Sequence, residues 1–411
     1  MRITFIRHGQ SESNASGHWQ GQSDSPLSEH GYSQARVLAE RLARLEPDLV
    51  VSSDLMRAAE TAAALGHPVE QDAAWREIHL GEWEGLHRDE AAELFGPQLE
   101  AFRRGEPVKL GGGESLHDLD ERVREAFDGL VGRLDVGDHA VVVAHGGVVS
   151  AMTRSVLGLM DRKVRPLGRV ENTSMTEFGL YNGAMSLLRF NDATHLGAPG
   201  PWTADQRLLG AQVVSFIRHG ESHANVAELW HGHTDGPLTD KGHEQALALS
   251  EWYQAPEVVY HSNLERARET ARKLAERLRV ENMERGDVIE MHLGDWEGLT
   301  TAEILTQWAP LVQEMFGEHK DVARGGSGET LEETRARMDR AMHELMDTHP
   351  DDYVSVVSHA GAIKALALGV LGLGHAERDK MGFVDNTSIS TFVRNADGVR
   401  LADYNTGRHL L

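Results

Sequence analysis

The feature that most constrains the fold of this chain is that its second half repeats its first half. The tripeptide Arg7-His8-Gly9 returns as Arg218-His219-Gly220, 211 residues later. Other segments match in the same order at spacings of 209 to 214 residues: Asn14 with Asn225, Ser53–Ala58 with Ser262–Ala267, Glu77–Gly85 with Glu290–Gly298, His145 with His359, and Asn172–Ser174 with Asn386–Ser388. Small changes of spacing are typical of loop insertions within one fold, so we interpret the chain as a duplicated domain.

The duplication predicts two domains with a short connection between them. The copies are separated by Gly-Ala-Pro-Gly-Pro at 197–201 and a polar stretch that runs to about Gln212, a composition typical of linkers. We therefore predict a first domain at 1–196, a linker at 197–212 and a second domain at 213–411. Each copy is long enough to bury a core of its own.

Within each copy, short β-branched runs alternate with amphipathic stretches. The runs are typical of buried parallel strands, and they are Ile3–Ile6, Leu49–Ser52, Ala140–Ala144, Val213–Ile217, Glu257–Tyr260 and Tyr353–Val357. Apolar residues from Leu116 to Leu134 recur at helical spacing after Ser115, a potential N-cap. This alternation predicts an α/β fold in which each domain has a mostly parallel sheet flanked by helices on both faces. His8 and His145 each follow a strand, so we expect them at one carboxyl edge.

The composition limits the partners of the chain. A net charge of −23 argues against nucleic acid and against a polybasic membrane contact, because both need clustered Lys and Arg. The absence of cysteine excludes disulfides and thiolate metal sites. With no signal peptide and no apolar stretch of about 20 residues, the sequence predicts a cytoplasmic protein. A small phosphorylated substrate remains compatible with this charge, and the oligomeric state is left open.

The residues at the predicted strand ends and helix starts are suited to phosphoryl transfer. In the first copy these are Arg7, His8, Arg57, Glu77 and His145. Arginine forks match phosphoryl oxygens, and a neutral imidazole can attack phosphorus. A carboxylic acid can protonate the departing alkoxide and then deprotonate the hydrolytic water. The arginines can stabilise charge as Mg²⁺ does elsewhere, so neither a metal nor another cofactor is expected.

These motifs carry a family resemblance. In the first copy the motifs also include Asn14, Ser53-x-Leu55-x-Arg57-Ala58, the Glu77 segment and Ala144-His145-Gly146-Gly147, and the second copy has matching segments. Each copy resembles the histidine phosphatase superfamily, which includes phosphoglycerate mutases and small-metabolite phosphatases. The resemblance implies that His8 becomes a phosphohistidine, that Arg7, Arg57 and His145 bind the phosphoryl group, and that Glu77 is the acid and base. In the second copy it implies the same roles for His219, Arg218, Arg266, His359 and Glu290. Asn14 and Asn225 match a polar position near the phosphate pocket.

Other interpretations of these residues are weaker. Glu82 and Glu84 lie close to Glu77 and could take its role, although the family pattern selects Glu77. The 23 histidines are scattered without metal-ligand spacing, which indicates surface or hydrogen-bonding roles. The glycine-rich segments 111–115 and 325–330 lack the Lys-Ser/Thr ending of a Walker loop, and we expect turns that lead into capped helices.

Three functions compete. The first is a metal-independent phosphomonoesterase for small metabolites, favoured because the segment 86–113 is shorter than the basic segment that follows the acid in mutases of the family. The second is a phosphoglycerate-mutase-like phosphotransferase, which needs a bisphosphorylated primer. The third is a non-catalytic sensor of phosphorylated ligands, which complete sets of His, Glu and Arg in both copies disfavour. Because segments 86–113 and 299–328 share little, the two sites are expected to prefer different substrates.

Overall fold

The β-branched runs form strands, and the two halves of the chain arrange theirs in the same order. The computed structural model describes residues 1–104, 106–160, 166–181 and 183–408. The chain divides into a first unit of residues 1–160 and 169–196 and a second unit of residues 197–408 with 166–168. The last three residues of the predicted second domain, 409–411, lie outside the described residues. The exact residues at which the predicted domains begin and end stay a prediction.

The sheet of the first unit has the strand order β3-β2-β4-β1-β5-β6. The four strands from β3 to β1 are parallel, and β5 and β6 follow as antiparallel strands. The strands are β1 (Arg2–Arg7), β2 (Leu49–Ser52), β3 (Glu70–Gln71), β4 (His139–Ala144), β5 (Met175–Tyr181) and β6 (Ala184–Asp192). The mostly parallel α/β sheet predicted for the first copy is confirmed.

The second unit repeats this sheet with the order β9-β8-β10-β7-β11-β12. Its first four strands are again parallel and its last two antiparallel. The strands are β7 (Gln212–Arg218), β8 (Val258–His261), β9 (Glu281–Glu284), β10 (Tyr353–Ser358), β11 (Ile389–Asn395) and β12 (Gly398–Thr406). The same order with the same directions in both units is what a duplication predicts.

The helices follow the strands as crossovers. In the first unit they are α1 (Glu12–Ala15), α2 (Glu29–Arg41), α3 (Met56–Ala63), α4 (Arg88–Arg103), α5 (Leu116–Val131) and α6 (Gly146–Leu157). In the second they are α7 (Pro201–Leu208), α8 (His223–Val226), α9 (Asp240–Trp252), α10 (Glu265–Leu278), α11 (Thr301–Gln307), α12 (Ala309–Val312), α13 (Leu331–Thr348) and α14 (Ala360–Val370). Ser115 caps α5 and Thr330 caps α13, each in a capping box that satisfies N–H groups at the helix start.

Both faces of each sheet are covered, because successive strand residues point to opposite sides. On one face of the first unit, Ile6 and Val143 pack against α2 and α3. On the other face, the Phe5 ring contacts Phe127 of α5 at 6.3 Å and Trp75 at 5.5 Å between centroids. Burying an aromatic side chain of this kind stabilises the fold by roughly 1.5–3 kcal/mol.

The predicted linker contains a helix. Segment 197–212 holds α7, and Trp202 of this helix packs against the core cluster of the second unit. The segment is therefore attached to the second unit through an apolar contact as well as through the chain. No helix among the described residues is long and apolar enough to cross a membrane.

Candidate active sites

Two parallel strands bring the predicted histidines of the first unit together. Arg7 is opposite Ala144 in the β1–β4 ladder, so the residues that follow them, His8 and His145, leave the sheet side by side. The backbone N–H of His8 donates to the Ala144 carbonyl at 2.9 Å, and the two imidazole centroids lie 5.1 Å apart. Both side chains are buried. The carboxyl edge of the sheet thus holds the histidine pair, as its strand positions predict.

The chain itself orients the ring of His8. Its Nδ1 atom lies 2.6 Å from the carbonyl oxygen of Gly9. A carbonyl oxygen only accepts hydrogen bonds, so this contact assigns the proton to Nδ1 and leaves the lone pair on Nε2. Burial, followed by the charges of Arg57 and Arg7, holds the pKa of His8 well below its usual value of 6.5. A neutral ring with an available Nε2 is the state that attack on phosphorus requires.

Two buried arginines accompany this ring. The Arg57 guanidinium donates to the Gly21 carbonyl at 2.9 Å, and that of Arg7 donates to the Val170 carbonyl at 2.6 Å. Burial and the neighbouring Arg169 lower the pKa of Arg7 to about 10, so Arg7 stays charged at neutral pH.

Several buried polar atoms of this cluster have no hydrogen-bond partner among the described residues. Within the described part of the chain, Nε of Arg7, Nε of Arg57 and Nδ1 of His145 make no hydrogen bond. Buried polar atoms are almost always bonded in folded proteins. Two guanidiniums beside a neutral histidine therefore form a pocket with positive charge and spare hydrogen-bonding capacity for an anion.

The Glu77 carboxylate is held at the start of helix α6. Its Oε2 atom accepts from the Gly147 N–H at 3.0 Å, and its Oε1 atom accepts from the Ile78 N–H at 2.9 Å. Gly147 is required for this approach, because a Cβ atom there would lie 2.1 Å from Oε1. The helix that begins after His145 thus positions the carboxylate on the histidine side of the sheet edge.

An arginine on α5 holds the backbone that carries Glu77. The Arg122 guanidinium donates to the carbonyls of Arg76 at 2.9 Å and Glu77 at 3.3 Å. It also makes two hydrogen bonds of 2.9 Å to the carboxylate of Glu114. Among the described residues, the Arg122 guanidinium bonds main-chain oxygens and Glu114 alone, so it is a positioning residue for Glu77.

The other two acids near Glu77 are engaged elsewhere. Glu84 accepts from the backbone N–H groups of Gln22 at 2.8 Å and Leu80 at 3.0 Å, which closes the loop around it. Glu82 is exposed. The geometry therefore favours Glu77 over both alternatives as the acid of the first site.

The second unit repeats the nucleophile geometry. His219 Nδ1 lies 2.6 Å from the Gly220 carbonyl, and the rings of His219 and His359 lie 5.1 Å apart. Burial, then Arg218 and Arg266, hold the pKa of His219 well below 6.5. As far as the structure describes the chain, neither ring nitrogen of His359 has a hydrogen-bond partner, whereas Nε2 of His145 in the first unit contacts Ser53.

The acid and the arginines are repeated as well. Glu290 accepts from the N–H groups of Gly361 at 3.1 Å and Ala362 at 2.8 Å, at the start of α14. Arg218 donates to the Val384 carbonyl at 2.7 Å, and Arg266 donates to the Gly232 carbonyl at 2.9 Å. All ten residues predicted for nucleophile, acid and phosphoryl contacts thus fall into two clusters, one in each unit.

The two predicted asparagines lie in the short helices that follow the nucleophiles. Asn14 and Asn225 each close a capping box with the serine before their helix. Asn225 also accepts from Asn386, which donates to the His219 carbonyl at 2.9 Å. The structure therefore gives both asparagines a capping contact, and their role toward phosphate stays a prediction.

Sequence reasoning missed three kinds of residue in these sites. They are the positioning arginines, the glycines that admit the carboxylate, and the asparagines that bond the nucleophile carbonyl: Arg122 and Arg337, Gly147 and Gly361, Asn172 and Asn386. Each pair occupies matching positions in the two copies. A residue-by-residue comparison of the copies contains this signal, because a contact needed by both sites keeps the same residue type in both. Among the described residues, no group of three or more His, Cys, Asp or Glu side chains is arranged to hold a metal ion.

A neutral histidine with two arginines and a carboxylate at the edge of an α/β sheet is a site of the phosphoryl-transfer class. The sequence model of the histidine phosphatase superfamily (branch 1) matches residues 3–193 and 214–407. The chain belongs to this superfamily and contains its domain twice.

Individual relatives match about half of the chain and most of their own length. A glucosyl-3-phosphoglycerate phosphatase of Mycolicibacterium vanbaalenii is 40% identical over 187 residues, which are 43% of this chain and 83% of the relative. A metal-independent phosphoserine phosphatase of Arabidopsis thaliana is 32% identical over 206 residues, 48% of this chain and 84% of the relative. A Serratia proteamaculans protein named "Probable phosphoglycerate mutase GpmB" is 34% identical over 185 residues, which are 43% of this chain and 83% of the relative.

Replacing Gly147 by alanine is expected to lower kcat of the first site on the order of a hundredfold, because the new methyl group displaces the Glu77 carboxylate. Gly146→Ala is the matched control, since a Cβ atom there meets nothing closer than 3.4 Å and the second unit has Ala360 at this position. Both are measured with the second site inactivated by His219→Ala. Equal activity of the two variants would contradict the assigned position of Glu77.

Proposed function

We propose that the chain is a phosphomonoesterase that hydrolyses small phosphorylated metabolites through a phosphohistidine intermediate, with one active site in each unit. The observation that carries this proposal is the tautomer of the two nucleophiles. His8 and His219 each direct Nδ1 to a backbone carbonyl at 2.6 Å, so each presents Nε2 as a nucleophile. The phosphatase names of relatives at 40% and 32% identity support hydrolysis as the reaction.

In the first step, Nε2 of His8 attacks the phosphorus of the bound ester. The N–P bond forms as the bond between phosphorus and the ester oxygen breaks, and the departing alkoxide takes a proton from the Glu77 carboxyl group. Arg7 and Arg57 bind the phosphoryl oxygens as negative charge spreads over them. His145, neutral and buried next to His8, contributes a ring N–H without adding a second charge.

In the second step, water attacks the phosphorus of phosphohistidine. The Glu77 carboxylate accepts the proton of this water, the N–P bond breaks, and inorganic phosphate leaves. The imidazole regains its lone pair at Nε2, and Glu77 again carries the proton needed for the next turnover. The second unit uses His219, Glu290, Arg218, Arg266 and His359 in the same roles.

The proposal includes independence from metal ions. In each pocket two guanidiniums supply the positive charge that a metal ion supplies in other phosphoryl-transfer enzymes. Chelation with EDTA is accordingly expected to leave hydrolysis unchanged.

The second candidate is a phosphoglycerate-mutase-like phosphotransferase, which the Serratia relative favours by its name. Such an enzyme retains the phosphoryl group on histidine and passes it to an acceptor. The two candidates differ in the fate of a radiolabelled phosphoryl group. Its release to water without a primer supports the phosphatase, and its transfer to an added phosphoglycerate supports the mutase.

Trapping the intermediate tests the proposal. Rapid acid-free quenching after mixing with a radiolabelled phosphate ester is expected to leave acid-labile label on the peptides that contain His8 and His219. His8→Ala and His219→Ala each remove one labelled peptide, while His30→Ala, at an exposed position outside both sites, keeps both. Label on neither histidine peptide, or phosphate release with no label on the chain, would overturn the proposal.

A further inference from the structure

Two arginines near the first site have no partner among the residues that the structure describes. Arg88 and Arg169 are both exposed, and over the described residues neither side chain makes a hydrogen bond or an ion pair. Many exposed arginines of this strongly acidic chain do find a carboxylate, such as Arg133 with Glu70 at 2.7 Å. An unpaired pair of guanidiniums is therefore a local departure from the charge pattern of the surface.

Arg169 lies directly next to the phosphoryl-binding residues. The next residue, Val170, supplies the carbonyl that accepts from Arg7 at 2.6 Å. The charge of Arg169 is close enough to contribute to the lowered pKa of Arg7. Glu171 on the same loop is buried, and its charge acts on Arg7 in the opposite direction.

Arg88 lies on a different segment, next to the loop that follows the Asn14 helix. It is the first residue of α4, and its backbone N–H donates to the carbonyl of Gly17, just after the helix that carries Asn14. Burial and then the charge of Arg169 lower the pKa of Arg88, which indicates that the two charges lie near one another. A cation at a helix N-terminus is unfavourable for the helix, and a second cation beside it adds repulsion. A bound anion would relieve both effects.

The second unit lacks this pair. Thr301 begins α11 where Arg88 begins α4, and Phe383 precedes Val384 where Arg169 precedes Val170. Phe383 is 62% exposed, which leaves an aromatic surface at this side of the second pocket. A cation of the second unit, Lys364, lies over the Phe383 ring at 5.5 Å from its centroid, and Arg378 is near Lys364. The two pockets therefore differ in charge at matching positions.

We propose that Arg88 and Arg169 are specificity residues of the first site, which bind a second anionic group on the leaving group of the phosphate ester. This inference rests on the proposed function. It assigns to the first site esters that carry a carboxylate or another phosphate, and it assigns no such preference to the second site. Arginine forks bind both groups through paired hydrogen bonds.

The experiment measures selectivity on three esters with the same three-carbon frame. Glycerol 3-phosphate has a neutral leaving group, 3-phosphoglycerate adds a carboxylate, and glycerol 1,3-bisphosphate adds a phosphate. With only the first site active, in His219→Ala protein, kcat/KM is expected to be higher for one or both anionic esters. Comparison of 3-phosphoglycerate with glycerol 1,3-bisphosphate shows which anionic group the first site prefers.

Exchange of the residues between the units is the sharpest test. Arg88→Thr with Arg169→Phe is expected to lower the ratio of anionic to neutral kcat/KM about ten- to a hundredfold, mainly through KM. In His8→Ala protein, Thr301→Arg with Phe383→Arg is expected to raise that ratio at the second site. Arg44→Thr, an exposed arginine outside both sites, removes one charge and is expected to keep the ratio.

The outcomes separate this inference from the function it rests on. If the first site hydrolyses all three esters at similar kcat/KM, or if the exchange leaves the ratio unchanged, the role of Arg88 and Arg169 is wrong and the phosphatase stands. If neither single-site protein hydrolyses any phosphate ester, the proposed function itself fails. A ratio that falls equally with Arg44→Thr would reduce the effect to overall charge and overturn the inference.

Discussion

A chain in which both His8 and His219 are replaced by alanine is expected to lose phosphate-ester hydrolysis on the order of a thousandfold or more. In the proposed mechanism each ring is the covalent nucleophile of its site, and each is oriented by its own carbonyl contact. Inorganic phosphate release under saturating substrate measures the loss. Residual activity above a tenth of wild type would contradict a histidine nucleophile.

The single variants divide the activity between the units. His8→Ala leaves the second site and His219→Ala leaves the first, so each is expected to retain hydrolysis of the substrates that its remaining site accepts. His30→Ala, which removes an exposed histidine outside both sites, serves as the control for nonspecific effects. If one single variant already abolished all turnover on every substrate, only one unit would be catalytic.

Acidification is expected to destabilise both units strongly below about pH 6.5, because each buries its two active-site histidines in the neutral form. Burial is the main cause that holds the pKa values of His8, His145, His219 and His359 well below 6.5. Below pH 6.5 the unfolded chain binds protons at these residues and the folded chain does not. Stability is therefore complete above pH 6.5 and falls as the pH decreases toward the folded-state values.

The expected effect of pH on the unfolding free energy is large. Each histidine contributes about 1.4 kcal/mol per pH unit, so two contribute on the order of 3 kcal/mol per unit of pH to the unfolding free energy of each domain. Urea denaturation at pH 7, 6 and 5 measures it in a range above the titration of most carboxylates. Replacing His145 and His359 by glutamine is expected to lower the slope by about 1.4 kcal/mol per pH unit in each domain, and a slope unchanged by these replacements would refute the assignment.

The duplication made much of the fold predictable. Because the two copies match in order with small changes of spacing, both sheets could be expected to have the same strands in the same directions. The strand ends also located His8 and His145, since parallel neighbours end at one edge of a sheet. The helix in segment 197–212 was harder to predict, because Pro201 begins α7 within a stretch whose Gly and Pro content is typical of a linker.

By itself, the sequence determined the repeated α/β architecture and the ten residues that gather in the two clusters, because strand periodicity and motif order are local properties of the chain. Only the tertiary structure decided which atoms those residues present to a ligand. The approach of Glu77 to Gly147 and the hydrogen bond from Arg122 to the Glu77 carbonyl both depend on distances between segments far apart in the chain. The same holds for Arg88 and Arg169, which are 81 residues apart in sequence and become neighbours only when the chain folds.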